Sequence, residues 1–170
     1  MKQNKKIVVF GPDNSGKTTL VDQIVGFSNT CSQPIKKMKS LGPAPVDEQI
    51  RYMDENLAIK GHVIFDRYPV IEEETCGIVL RQHNNFGEAP TLYTKYIKAI
   101  DLFIFCNPGL DAILNWGERE QMVGIKENIF PLYFSYCLVY KKFRELGINV
   151  MEYNWKSKDG LFEVARRVLE

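Results

Sequence analysis

The fold is decided by the stretch Gly11-Pro12-Asp13-Asn14-Ser15-Gly16-Lys17-Thr18. This stretch fits G-x-x-x-x-G-K-[ST], the pattern of a phosphate-binding loop. The apolar run at residues 7–10 precedes it and predicts a buried strand. Apolar residues recur at helical spacing after it, at Leu20, Val21, Ile24 and Val25. The loop is therefore predicted to join a strand to a helix, which is the context that the pattern requires.

A loop of this kind binds phosphate mainly through its backbone. Glycines let the chain wrap around a phosphate group, and successive N–H groups at the helix N-terminus supply partial positive charge. Lys17 is expected to reach the outer phosphates, and the Thr18 hydroxyl is expected to bind Mg²⁺.

The composition is that of an ordinary globular chain. Its 170 residues suit one domain, predicted over residues 1–170, and 45% of them are apolar. The net charge of +1 gives no general attraction to nucleic acid or to a membrane, so any phosphate site must be local. No apolar run reaches the roughly 18 residues of a membrane span. The four cysteines form no C-x-x-C pair, which favours a reduced, cytoplasmic protein.

Apolar runs and helical patterns alternate along the chain. Strands are predicted at 7–10, 34–38, 63–65, 102–106 and 148–151, and helices after the loop, from 46, at 72–82, at 92–100, at 110–114, from 127, and at the C-terminus. Gly61 is a candidate helix C-cap and Ser157 a candidate N-cap. This alternation predicts a three-layer α/β/α sandwich with a parallel sheet, whose ligands bind beyond the carboxyl ends of the strands.

A second group of polar residues, Asp66-Arg67-Tyr68, follows the third predicted strand. An acid at that position suits Mg²⁺, directly or through water. Arg67 would bring a planar, bidentate phosphate-binding group into the same cleft.

Together these stretches resemble thymidylate kinase and related nucleoside monophosphate kinases of the P-loop superfamily. The resemblance covers Gly-x-Asp before Ser-Gly-Lys-Thr-Thr, Asp-Arg-Tyr after the third strand, and an arginine-bearing segment before a long helix. The stretch from residue 66 to 81 looks closest to small, phage-type members. The order of predicted elements matches over nearly the whole chain.

The resemblance implies a role for each matching position. Asp13 would accept from the 3′-hydroxyl of the acceptor, Arg67 would hold its phosphate, and Asp66 would lie near the metal with Thr18. Arg119 would be the mobile arginine of a lid at 116–126, because the loop carries Asn14 and no arginine. The implied ATP-binding residues are Gly11, Asn14, Ser15, Gly16, Lys17, Thr18 and Thr19, with Lys17, Arg67 and Arg119 as the catalytic residues. A homodimer is plausible for such a protein.

The sequence departs from the resembled pattern after Asp-Arg-Tyr, where Glu72, Glu73 and Glu74 stand in place of small and amide residues. An ionised carboxylate only accepts hydrogen bonds, which suits the N–H-rich edge of guanine better than thymine. A helix start rich in acids is an equally good explanation. Arg51 and Tyr52 are further candidates for contact with the base.

The expected function is a deoxynucleoside monophosphate kinase that transfers the γ-phosphoryl group of ATP·Mg²⁺ to a dNMP, dTMP or a dGMP-like acceptor. The alternative is a deoxynucleoside kinase acting on a 5′-hydroxyl, with Asp66 or a nearby glutamate as the base. A nucleotide-binding switch is less favoured, since the sequence contains no Asn-Lys-x-Asp motif.

Overall fold

A computed structural model of the protein describes residues 4–31, 33–115 and 123–169. The described strands form one parallel sheet in the order β2-β3-β1-β4-β5. Their bounds are β1 (Lys6–Phe10), β2 (Ile35–Met38), β3 (His62–Asp66), β4 (Leu102–Cys106) and β5 (Val150–Tyr153). The helices are α1 (Lys17–Thr30), α2 (Val46–Leu57), α3 (Pro69–Glu72), a π-helical turn (Glu73–Gly77), α4 (Ile78–Arg81), α5 (Pro90–Lys98), α6 (Leu110–Leu114), α7 (Ile129–Glu145) and α8 (Gly160–Leu169).

Helices cover both faces of the sheet, which confirms the predicted three-layer α/β/α architecture. Successive residues of a strand point to opposite faces, so Val8 and Phe10 pack on one side of β1, and Ile7 and Val9 on the other. The first face is covered by α2, α5 and α7, and the second by α1 and α8. Since β1 is buried on both faces, its residues 7–10 are continuously apolar with no alternation.

Parallel pairing places the carboxyl ends of neighbouring strands at one edge of the sheet. Val9 of β1 pairs with Asp66 of β3 and with Ile104 of β4. The phosphate-binding loop therefore begins beside the end of β3 and the end of β4. The backbone at Gly11 approaches β4 so closely that a methyl group there would lie 2.6 Å from the carbonyl oxygen of Cys106.

Several predicted boundaries were wrong by a few residues. Helix α2 ends at Leu57 and is capped by Ala58, whose N–H donates to the carbonyl oxygen of Asp54. Gly61 is therefore not its C-cap. Strand β5 lies two residues later than predicted. Helix α8 begins at Gly160, so Ser157 precedes it as part of a turn, in which its carbonyl accepts from the Gly160 N–H.

The segment predicted as one helix over 72–82 is a composite. It begins earlier, with Pro69 at the first position of α3, then widens into the π-helical turn and ends at Gln82, which has a φ of 54°. Such turns are rare and often lie at functional sites. Among the described residues, none of the helices has the length and apolarity that a bilayer span requires.

Candidate active site

The phosphate-binding loop has the geometry that the sequence predicted. Gly16 is the N-cap of α1 with a φ of 88°, and Asn14 has a φ of 64°. Gly16 has no side chain between the helix N-terminus and a ligand, so the first N–H groups of α1 are accessible. The hydroxyl of Ser15 is buried and has no hydrogen-bond partner among the described residues.

Lys17 is buried inside this loop. Its Nζ donates to the carbonyl oxygen of Pro12 at 2.6 Å and lies 3.9 Å from Oδ1 of Asp13. Burial, and next the positive charge of Arg67, lower the pKa of Lys17, while Asp13 opposes the shift. Asp13 compensates the positive charge of the Lys17 ammonium only in part, and a phosphate group would compensate it further.

Thr18 and Asp66 meet where a metal would be expected. The hydroxyl of Thr18 donates to Oδ2 of Asp66 at 2.8 Å, and Oδ1 of Asp66 is buried without a hydrogen-bond partner among the described residues. Two adjacent oxygen ligands, one with free lone pairs, fit the oxygen chemistry of Mg²⁺. The described residues include no group of three or more His, Cys, Asp or Glu side chains that could hold a metal alone. Phosphate and water would therefore have to supply most of its ligands.

Arg67 is held between two carboxylates. Its Nη1 donates to Oε2 of Glu72 at 3.1 Å, and its Nη2 is hydrogen-bonded to Oδ1 of Asp13. Burial works against the charge, but Glu72, Tyr136 and Asp13 together raise the pKa of Arg67, so the guanidinium is always positive. Its backbone has a φ of 74°, a strained value for a residue with a side chain. Strain of this kind concentrates at functional sites.

Glu72 is fixed from the other side by α7. The hydroxyl of Tyr136 donates to Oε1 of Glu72 at 2.8 Å, and Cys76 Sγ lies 3.8 Å from Oε2. Burial, and next the Glu72 charge, raise the pKa of the Cys76 thiol to about 11. Tyr136 was missed at the sequence level because it lies on an aromatic stripe that is typical of core packing, and Cys76 was missed because a cysteine outside any C-x-x-C pair gives no signal.

Two cavities meet at Arg67. The larger, of about 920 Å³, is lined by the phosphate-binding loop, α6 and the chain after β5, including Lys17, Thr18, Thr19 and Trp155. The smaller, of about 300 Å³, lies between residues 40–43, α2 and the composite helix. Arg67 lines both of them. Both volumes lie in the range of small-molecule binding sites, and the larger cavity suits the larger ligand.

The three consecutive glutamates point in different directions. Glu72 and Glu73 line the smaller cavity. Glu73 is buried, accepts from Nε2 of Gln49 at 2.8 Å and pairs with Arg81 at 2.7 Å. Glu74 accepts from Lys142 at 2.6 Å and does not line either cavity.

The structure does not bring Arg51 and Tyr52 to this site. Arg51 is exposed on α2, and the Tyr52 hydroxyl donates to the carbonyl oxygen of Lys39 at 2.6 Å. Burial, and next the charge of Asp66, raise the pKa of Tyr52 to about 12. Neither residue lines either of the two cavities described above, whereas Gln49 on the same helix lines the smaller one.

The predicted lid lies largely outside the described residues, and Arg119 with it. Its last part is described: Gly124 has a φ of 86°, and Ile125 is buried against the smaller cavity. The C-terminal end of the predicted lid is therefore attached to the wall of that cavity. The roles proposed for Arg119 and for a homodimer stay predictions.

Fold and site geometry together define a P-loop kinase fold, and comparison with solved structures agrees. The chain is similar to the YorR protein of Bacillus subtilis, solved with phosphorylated GDP, at 17% identity and a TM-score of 0.66, covering 97% of this chain and 94% of that one. It is also similar to deoxyadenosine kinase from M. mycoides, solved with dATP, at 15% identity and a TM-score of 0.61, covering 98% and 100%. A third similar structure is thymidylate kinase from Ehrlichia chaffeensis, at 15% identity and a TM-score of 0.54, covering 98% and 97%.

These similarities confirm the predicted fold, that of thymidylate-kinase-like P-loop kinases, over nearly the whole chain. No protein-family model matches the sequence, and no curated protein matches it. At this level of identity the similarity concerns the fold, and the activity has to be argued from the site.

Proposed function

We propose that this protein is an ATP-dependent kinase that phosphorylates a deoxynucleoside monophosphate. The observation that carries the proposal is the position of Arg67, which lines the phosphate-loop cavity and the smaller cavity at once. A phosphoryl group that passes from one ligand to the other must cross this junction. The fold that this chain shares with a deoxyadenosine kinase and a thymidylate kinase supports the same class of reaction.

In this proposal the larger cavity holds the donor. The N–H groups of the loop and Lys17 bind the ATP phosphates, and Lys17 exchanges its bond to the Pro12 carbonyl for a phosphate oxygen. Thr18 and Asp66 hold Mg²⁺, which neutralises charge on the phosphates when it is bound. Catalysis in such a site is mainly positioning and charge stabilisation.

The smaller cavity holds the acceptor. Arg67 binds the phosphate of the acceptor, and Asp13 accepts a hydrogen bond from the 3′-hydroxyl of the acceptor. The hydrogen bond between Arg67 and Asp13 is then replaced by these two bonds to the substrate. Arg119 is proposed to reach the transferring group from the lid, since the described loop offers no arginine. Pre-formed ion pairs keep Arg67 in place before the substrate arrives, which lowers the cost of ordering it.

The charge at the junction favours a second candidate, a deoxynucleoside kinase. Within the described part of the site, the carboxylates of Asp13, Asp66 and Glu72 outnumber the cations of Lys17 and Arg67. A neutral nucleoside needs no further cation, and Glu72 beside Arg67 could accept the proton of a 5′-hydroxyl.

Coupled ADP release with ATP, Mg²⁺ and a panel of acceptors separates these functions. We expect turnover with at least one dNMP and little with the matching deoxynucleoside. Turnover with the nucleoside alone would favour the second candidate, and Glu72→Gln should then abolish it. Lys17→Ala serves as the inactive control. A folded protein that releases no ADP above background with any acceptor would refute both kinase functions.

A further inference from the structure

The smaller cavity is lined by a polar trio, formed by Gln49, Glu73 and Arg81, that the phosphoryl-transfer chemistry does not use. Gln49 and Glu73 are only 1% and 3% exposed. Glu73 accepts from Nε2 of Gln49 at 2.8 Å and from Nη2 of Arg81 at 2.7 Å. All three residues line the cavity.

The orientation of the Gln49 amide follows from its neighbours. Its Nε2 lies 2.8 Å from the carbonyl oxygen of Ala44 and 2.8 Å from Oε1 of Glu73. Both neighbours only accept hydrogen bonds, so the amide nitrogen must face them. Oε1 of Gln49 is then a buried acceptor with no partner among the described residues. A buried polar atom without a partner is unusual in a folded protein and points to a ligand that supplies one.

Glu73 and Arg81 add to this chemistry. A carboxylate has about four lone-pair sites. Oε1 of Glu73 accepts twice, but Oε2 accepts only a long bond, at 3.3 Å, from the N–H of Asn85. The side chain of Arg81 is 38% exposed, and it donates one of its five N–H groups to Glu73. The trio therefore offers two acceptors and a fork of donors to a ligand.

We infer that this trio binds the base of the acceptor and selects guanine. Guanine carries N–H donors on two adjacent positions, N1 and N2, next to the acceptor O6. The acceptors Gln49 and Glu73 match the two donors, and Arg81 matches O6, in the geometry by which arginine commonly binds guanine. Thymine presents one N–H between two carbonyl groups, and it leaves one buried acceptor unpaired. The inference rests on the proposed function for its choice of cavity.

The absence of a side chain at Gly77 leaves space for Glu73 and Arg81 of the trio. A methyl group there would lie 2.9 Å from Oε2 of Glu73 and 3.0 Å from Nη2 of Arg81. The π-helical turn thus places the one residue without a side chain against the ion pair. Glu74, one residue after Glu73, pairs with Lys142 outside the cavity and provides a matched control.

The test is equilibrium binding of dGMP, dIMP and dTMP to the purified protein, which requires no turnover. Deoxyinosine monophosphate differs from dGMP only by the missing 2-amino group. We expect dGMP to bind roughly 5- to 150-fold more tightly than dIMP or dTMP, the range for leaving a buried acceptor unpaired. Gln49→Leu should reduce this preference to within a few-fold, and Arg81→Met should weaken dGMP more than dTMP. Lys142→Met should leave all three affinities unchanged.

The readouts separate this inference from the proposed function. A wild-type protein that binds dTMP at least as well as dGMP, or a preference that survives both substitutions in folded variants, would overturn guanine selection and make the trio a structural link between α2 and the π-helical turn. If Gln49→Leu does not fold, Arg81→Met decides the question, because Arg81 is partly exposed. Absence of ADP release together with a trio-dependent dGMP preference would refute the kinase activity alone.

Discussion

Replacing Gly77 with alanine tests the geometry of the smaller cavity directly. The backbone at Gly77 is helical, with φ −58° and ψ −54°, so alanine fits the backbone conformation. The added methyl group, however, would lie 2.8 Å from the carbonyl oxygen of His83, a backbone atom that cannot move cheaply, since the His83 N–H donates to the carbonyl of Gly77 itself. It would also press on Glu73 and Arg81.

The magnitude follows from three opposing effects. Alanine in place of glycine favours a helix by about 1 kcal/mol. Overpacking costs about 1–3 kcal/mol, and separating a buried carboxylate from its donors costs a similar amount. We expect a net loss of about 1–5 kcal/mol in the free energy of unfolding. For a chain of this length the melting temperature should fall by about 3–15 °C.

The matched control is Gly26→Ala on α1, where a methyl group meets no atom within 4 Å. Helix propensity alone then acts, so its melting temperature should rise by about 2–4 °C. Differential scanning calorimetry of the three proteins measures both shifts, and binding of dGMP should weaken only in Gly77→Ala. A Gly77→Ala protein that melts at or above the wild-type temperature would show that Gly77 is not packed closely against His83, Glu73 and Arg81.

Three further predictions concern the chemistry at the junction. Lys17→Ala should abolish turnover in the coupled assay while thermal melts show a folded protein, because Lys17 is proposed to act only on phosphates. Arg119→Ala should lower kcat by about 10³–10⁵-fold with less change in acceptor KM, whereas Arg67→Ala should raise KM as well, and steady-state kinetics distinguish them. The thiol of Cys76, whose pKa is raised to about 11, should react with iodoacetamide far more slowly at pH 8 than the exposed Cys31. Its rate should increase as the pH rises toward 11; a Cys76 labelled as fast as Cys31 at pH 8 would contradict its burial beside Glu72.

Local patterns were sufficient to predict most of the fold. The phosphate-binding loop and the apolar strands at 102–106 and 63–65 lie where the sequence placed them, since a parallel strand buried on both faces needs an uninterrupted apolar run. The proximity of Thr18 to Asp66 followed from the same reasoning, because Asp66 ends β3 and the loop that leads to Thr18 follows the neighbouring strand β1.

Tertiary contacts decided what the sequence could not. A π-helical turn has no pattern of its own, and the one at Glu73–Gly77 directs Glu73 and Glu74 to two different partners, Arg81 and Lys142. Gln49 was missed because the sequence of an amphipathic helix does not distinguish a buried glutamine from one on the exposed face. Arg51 and Tyr52 were proposed from the same helix, but Gln49 is the one of the three that lines the smaller cavity.

The order of the strands also bears on how the chain folds. Strand β1 is made first, yet it lies in the centre of the sheet, where residue 7 pairs with residues 64 and 102. Contacts this far apart in sequence make folding slow, because a long loop must close before they form. A nascent chain that has not yet reached β4 therefore holds the phosphate-binding loop on a strand with one open, apolar edge. Such an edge is prone to pair with other chains. Until β4 has been synthesised, aggregation through this edge therefore competes with folding.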